Sequence, residues 1–369
     1  MIYLILLINM PQQFINNTLN VYKSLNFSSI SHVPIKIVLF NYSQEDKIID
    51  IFKTFKPLNF DNITINFISE LEDYFVYEIN STQDKSITCP HCGKNIKKSN
   101  KEYKTLLFFS KKYSIIILIS NKSGSLFKMD LRFMNKYYPF ISRFFFRSRE
   151  LKEMIANIGI KLNYEIRFSN CVFKRYFEKI DVPETFVQYL NKSYDKAFMF
   201  AKDNNLWVDS INLILDKMNL RLSRKGIFSL MTEHNFDLTK FDEIYDLILK
   251  YPVLKFNELY DLILKNNSLT YGDTRVIKIS LNEDLFVDNS SIEKFIEYIS
   301  KKYSFSVIFQ NDFSTKLICL DYESGGSFDI LIDSKNSIKI MPQFQLISTS
   351  LNTLINFILN EYEGEINVN

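Results

Sequence analysis

The sequence predicts an α+β protein of three parts, and three observations carry that reading. The first is size: 369 residues with 46% apolar and 24% charged content bury a sizeable core and exceed the usual length of one domain. Next, the first third alternates strand-like and helix-like segments and then runs into consecutive strand patterns, which implies an N-terminal α/β layer passing into an antiparallel meander. Lastly, the centre reads as mainly helical, and the C-terminal part returns to short strands framed by two helices, an α+β domain with a short-stranded antiparallel sheet. The expected divisions are 1–134, an α/β domain carrying a CPHCG knuckle hairpin; 135–270, a basic and mainly helical region; and 271–369, the α+β domain.

Met1–Asn9 is apolar, but it lacks a basic flank and a small-residue cleavage site and is far shorter than the roughly 20 residues that span a bilayer, so it reads as a buried strand. A helical pattern over 12–25 precedes a strand from Ile35 to Phe40. Ser43 offers an N-cap, with Asp46 three residues on, for a helix near 44–56 that turns Ile48, Ile49, Ile51 and Phe52 inward. Strands near 62–68 and 74–79 complete the layer. In the meander, Leu106–Phe109 and Ile115–Ile119 read as strands, the second of them central, and Asn121–Gly124 as a turn. Leu126–Met134 reads as a half-buried strand, because Phe127, Met129, Leu131 and Phe133 alternate with Lys128, Asp130 and Arg132.

In the centre, Pro139 as a first helical residue and Gly159 as a C-terminal cap frame a helix of about five turns with Ile141, Phe144, Leu151, Ile155 and Ile158 inward. FDEIYDLILK at 241–250 recurs as FNELYDLILK at 256–265, a shift of 15 residues. Two copies are too few for a solenoid and read as an αα-hairpin broken at Pro252. The C-terminal domain is expected to hold a helix near 291–302, strands around 304–310, 316–322, 327–332 and 337–341, and a closing helix over 348–361. Gly325-Gly326 and Asp333–Asn336 supply its hairpin turns.

Charge is distributed unevenly. Residues 1–88 hold 6 Lys+Arg against 9 Asp+Glu, residues 89–225 hold 27 against 12, and residues 226–369 hold 12 against 21. A formal net charge of +3 therefore conceals a strongly basic centre, and such a field attracts polyanions. Nucleic acid, DNA or RNA, is the expected partner; pairing of the basic centre with the acidic tail is the alternative. Within the expected 139–158 helix, Arg143 and Arg147 stand four apart to grip phosphates, Arg149 is taken up by Glu153, and Tyr137, Tyr138, Phe145 and Phe146 lie beside them for base stacking. Lys174-Arg175 and the turn Arg221–Gly226, with Arg221, Arg224 and Lys225, extend the track. Lys94, Lys97, Lys98, Lys101 and Lys104 read as a solvated hairpin.

Two motifs bear on chemistry. Cys89-Pro-His-Cys92-Gly-Lys resembles one knuckle of a zinc ribbon, which implies a zinc ion held by Cys89 and Cys92. Structural zinc wants four ligands, and Cys171, Cys319, His32 and His234 are isolated in sequence, so a metal-free turn is the alternative. CPHC also resembles the dithiol of thioredoxin-like oxidants, but here its flanks are polar where that chemistry needs a buried strand and a helix. Asp321, followed by Asp333-Ser-Lys335, has a spacing that resembles restriction-type nucleases, which implies carboxylates holding Mg²⁺ and a lysine steadying water; Asp329 offers a competing register.

The chain contains no GxGxxG, Walker A, HExxH or GxSxG motif and only three His, so no nucleotide cofactor is expected. Four scattered Cys fit a reducing, cytoplasmic setting, and no run reaches membrane length. The expected function is nucleic-acid binding through the basic centre, as a subunit, with other proteins, of a processing or defence assembly. The alternatives are a metal-dependent nuclease built on Asp321, Asp333 and Lys335, and a non-catalytic interaction scaffold built on 241–265.

Overall fold

The computed structural model describes residues 35–43, 63–71, 74–81, 86–88, 95–97, 105–111, 115–122, 124–162, 166–175, 178–180, 194–215, 218–232, 276–310, 314–343 and 348–368, with Phe52 and Ile248. The patterns expected for 1–9 and 12–25 lie outside these residues, as do the 44–56 helix apart from Phe52 and the 241–265 repeat apart from Ile248, both of which are helical and buried. Cys89 and Cys92 also lie outside, between strands β4 (Ser86–Thr88) and β5 (Asn95–Lys97), which pair antiparallel.

The fold is α+β with antiparallel sheets. Strands β1 (Ile35–Tyr42), β2 (Ile63–Leu71), β3 (Tyr74–Ser81), β6 (Thr105–Ser110) and β7 (Ile115–Ser120) form as expected. They belong to one 11-stranded sheet whose other members come from the centre of the chain: β8 (Ile141–Arg143), β9 (Ile166–Arg175), β10 (Glu178–Ile180), β11 (Trp207–Leu215), β12 (Met218–Ser223) and β13 (Ile227–Thr232). The order is β10-β9-β11-β12-β13-β1-β7-β6-β3-β2, with β8 also on β1, so strand pairing runs across position 134. The expected helical centre is thus corrected to a meander. Met218, Leu220 and Leu222 turn inward while Asn219, Arg221 and Ser223 turn outward, a period of two that serves a sheet and not a helix.

Leu126–Met134 is helical, within α1 (Gly124–Asn135). Its buried residues, Leu126, Phe127, Asp130, Leu131, Phe133 and Met134, follow the stripe of a helix; the apparent alternation hid Leu126 and Met134 and misplaced Asp130 on a polar face. Helix α1 covers one face of the β1–β3 half of the sheet, where Val38, Phe40, Leu107, Phe109, Ile116 and Leu118 meet Phe127 and Leu131.

The expected 139–158 helix is also corrected. Residues 136–140 turn, β8 follows, and helix α2 occupies Ser148–Leu162, with α3 at Tyr194–Asp203. Both helices cover the opposite face of the large sheet through Leu151, Met154, Ile155, Ile158, Ala197 and Phe198. Gly159 lies inside α2 and ends nothing: a Cβ there would meet Ile166 Cδ1 at 2.9 Å, so glycine admits β9 against the helix.

The second sheet matches expectation closely. Helix α4 (Asn289–Ser300) is capped by Asp288, which accepts from Ser291 N–H at 2.8 Å. Strands β15 (Ser304–Gln310), β16 (Thr315–Leu320), β17 (Ser327–Ser334) and β18 (Ser337–Pro342) and helix α5 (Ser348–Glu361) follow. Two strands escaped sequence reading, β14 (Ile277–Leu281) and β19 (Gly364–Val368), which pair together at the far side of β18. Helices α4 and α5 cover this sheet through Ile292, Phe295, Leu351, Leu354, Ile355 and Ile358.

Between β8 and α2 the backbone is extended, so successive side chains point opposite ways. Phe144 and Phe146 enter the core of the large sheet and Phe145 enters that of the second sheet. Among the described residues no helix is long and apolar enough to cross a membrane.

Candidate nucleic-acid interface

The basic centre and the acidic tail meet. Lys174 on β9 pairs with Glu361, Arg224 in the β12–β13 turn pairs with Glu363, and Arg149 on α2 pairs with Glu365 at 2.5 Å and with Glu153 at 3.0 Å. Three alternate carboxylates at the end of α5 and in β19 thus draw in three cations from the large-sheet side. Arg224 is fully buried, with its guanidinium 4.6 Å above the Phe145 ring, and donates to the carbonyls of Phe146 at 3.2 Å and Leu359 at 2.7 Å. Lys174 also donates to the Asn360 carbonyl at 2.9 Å. Both were expected on a phosphate track; both are interior, because an unpaired buried charge is far costlier than a paired one.

Arg143 and Arg147 do not share a helix flank. Arg143 ends β8, where it is largely enclosed and burial pushes its guanidinium below its ordinary pKa, and Arg147 pairs with Glu150 at 2.7 Å ahead of α2. Of the expected stacking residues, Phe145 and Phe146 are buried and Tyr137 and Tyr138 are half-buried with their rings in contact with neighbours. Tyr137 packs against Phe133 and Phe52, with ring centroids 5.1 and 5.7 Å away; Phe145 and Phe146 are core; and Tyr138 donates its hydroxyl to Asp321 while Lys302 lies 4.9 Å over its ring. Arg175, Arg221 and Lys225 are exposed, Arg221 on a strand and Lys225 in the turn after it.

The nuclease-like set does not assemble. Asp321 follows β16 and Asp333 lies near the far end of β17, six residues beyond Ser327, which puts them about 20 Å apart. Asp333 pairs with Lys339, Asp329 pairs with Lys316 at 3.0 Å, and Lys335 lies in the β17–β18 turn. Asp321 is instead a buried junction. It accepts from Tyr138, from Ser324 at 2.7 Å, from Ser350 at 2.8 Å and from the Glu323 N–H at 3.1 Å. Burial acts to raise its pKa, but these donors outweigh it and hold the carboxyl below its ordinary value. Its stabilising contribution is therefore complete above the ordinary carboxylate range and is lost as pH falls through the lower folded value. Urea midpoints measured from about pH 7 down to about pH 3 should fall less steeply in Asp321→Asn than in the parent protein. Among the described residues no group of three or more His, Cys, Asp or Glu is placed to hold a metal ion.

What the sequence reading missed is a polar row across the large sheet. Register places Asn170 (β9) beside Asn212 (β11), then Arg221 (β12), Ser229 (β13), Lys36 (β1), Ser120 (β7) and Thr105 (β6). All seven share the face that α1 covers, but α1 lies over the β1–β3 half alone. At the covered end the row is closed by buried groups. Thr105 donates to Asp130 at 2.6 Å and shares a hydrogen bond with Ser120 at 2.8 Å, and Lys122 donates to Asp130 at 3.1 Å and to the Ile79 carbonyl at 2.9 Å.

The other half of that face, over β9, β11, β12 and β13, is exposed to half-buried, apart from Ser210. It carries Arg167, Asn170, Val172, Ser210, Asn212, Ile214, Asn219, Arg221, Ser223, Ile227, Ser229 and Met231, and Lys36 stands at its border. Among the described residues no Asp or Glu occupies a register-paired position of this half-face, and neither Arg167 nor Arg221 forms an ion pair. Lys36 donates to the Lys122 carbonyl, and burial lowers its pKa while Asp130 opposes the shift. Arg167 and Arg221 lie two strands and two residues apart, about 12 Å. The signal for this face was present in the alternation Asn219, Arg221, Ser223, which a helical reading of the centre concealed. Comparison of the chain with protein-family models and with curated proteins returns no match.

Proposed function

We propose that the open half-face of the large sheet binds nucleic acid and that the protein is a non-catalytic binding subunit of a larger assembly. The observation that carries this reading is the charge of the face: Arg167, Arg221 and bordering Lys36 among amides and hydroxyls, with no carboxylate at its paired positions among the described residues. Phosphates are attracted to such a surface, and each neutralised phosphate releases counterions and steepens the salt dependence. Arg221 is retained from the sequence reading as a binding residue; Arg167, Asn170 and Asn212 join it, and Arg224 and Lys174 leave it for the interior. A cytosolic setting agrees with Cys171 and Cys319, which are free thiols. The D…DxK nuclease is not proposed, since its members lie at opposite ends of a hairpin.

Fluorescence anisotropy titration with mixed-sequence nucleic acid at two salt concentrations tests the reading. Charge reversal Arg221→Glu should weaken binding by about tenfold and reduce the salt slope by about one. Reversal at Arg149, which is exposed but lies on α2 away from this face, should leave affinity within about twofold. Equal losses at both positions would make the attraction diffuse and remove the assigned face.

A further inference from the structure

Resting on that reading, we infer that the half-face takes a single strand, not a duplex, and that its asparagines meet the edges of unpaired bases. The side chains decide this. A duplex shows its bases only inside grooves, of which the wider is about 12 Å across and about 8.5 Å deep, and an element must enter the groove to reach them. The present surface is a sheet face of at least four adjacent strands, β9, β11, β12 and β13, spanning roughly 15 Å and dressed with short Asn and Ser side chains. Such a face, at roughly 15 Å, is too broad to enter an undistorted groove of about 12 Å. It reaches base edges only where bases are unstacked and laid upon it.

Its chemistry suits that arrangement. Asn212 donates its amide to the Asn170 carbonyl across the β9–β11 pair. That bond fixes both amide planes and leaves the Asn170 amino group and the Asn212 carbonyl as one donor and one acceptor side by side, the pairing a base edge presents in return. Asn219 adds a further amide one strand over, and Ile214 lies beside it in the same row. Met231, next to Asn219 on β13 and 37% exposed, offers a polarisable thioether against a base face. Arg167 on one side of the amide pair and Arg221 on the other supply the backbone contacts. Ser169 on β9, beside the amide pair, and Asp209 on β11 are extra residues in this ladder, and the two bulges strengthen the local twist of the surface.

The test uses the full chain and labelled strands of about 15 nucleotides, one RNA and one DNA, with the blunt duplex of the same sequence as the third probe. At least one single strand should bind about tenfold or more tighter than the duplex, with a salt slope of about 1.4 for the two arginine–phosphate contacts. Asn170→Ala, an exposed position, should weaken single-strand binding about threefold to tenfold with the salt slope unchanged, whereas Arg221→Glu lowers the slope. A duplex bound as tightly as either single strand, or full affinity in Asn170→Ala, overturns this inference and leaves the nucleic-acid reading standing. Absence of binding to all three probes overturns both.

Discussion

Replacing Glu363 with glutamine should lower the free energy of unfolding by about 3–5 kcal/mol, read as a shift in the urea midpoint at pH 7. Glu363 is buried against Arg224, which has no exposed surface, and also accepts from the Ser148 N–H at 2.7 Å at the start of α2. Glutamine keeps the shape and one acceptor but removes the paired countercharge, so the buried guanidinium retains only the weaker influence of Asp209 and Glu150. Arg224→Met should cost a comparable amount for the converse reason, and it also takes the donor from the Phe146 and Leu359 carbonyls. Since the two changes act on one pair, the double variant should lose clearly less than the sum of the single ones. Additive losses would show that the pair is not coupled and that packing around each side chain carries the effect.

The second large effect is expected at Lys122. Its ammonium and the Asp130 carboxylate are both wholly buried, 3.1 Å apart, beneath helix α1. Lys122→Met should destabilise the protein by about 3–5 kcal/mol at pH 7 and leave Asp130 with Thr105 as its remaining hydrogen-bond donor. The pH dependence has a definite sign. Burial already raises the Asp130 pKa in the parent protein, opposed chiefly by Lys122, and removing the lysine removes that opposition. A carboxyl whose folded pKa lies above its unfolded one is stabilised as pH falls through the folded value, so part of the loss should return on acidification. Lys122→Met with Asp130→Leu should be more stable than Lys122→Met alone. If the single variant equals the parent at pH 7, the pair is dispensable and the proposed closing of the polar row by charge is wrong.

Legibility followed the kind of signal. The second sheet was readable because strands β15 to β18 are short, β16 and β17 alternate, and recognisable turn chemistry at Gly325-Gly326 and Asp333–Asn336 separates them. Strands β14 and β19 were not, since each is short and gains its place from partners far away in sequence, β14 from β18 and β19, and β19 from β14. Helix α1 was misread through a local coincidence, four apolar residues at alternate positions, whereas the burial of Leu126 and Met134 and of Asp130 against Lys122 marks its true stripe. In the centre, abundant charge and widely spaced apolar residues gave a helical impression, while the strands there earn their stability from neighbours far away in sequence, such as β13 on β1. The candidate site suffered most. Lys174 and Arg224 are indistinguishable from surface cations until Glu361 and Glu363 are brought to them, and the Asn170–Asn212–Arg221 row exists only through strand register.

The three consecutive phenylalanines after β8 act as a stitch. With Phe145 anchored on one side and Phe144 and Phe146 on the other, neither hydrophobic centre can loosen without dragging a ring out of its neighbour, although among the described residues the two sheets share no strand. Heat or denaturant should therefore disrupt the two centres together, and the grip of the open face on any ligand is tied to the integrity of the second sheet as well.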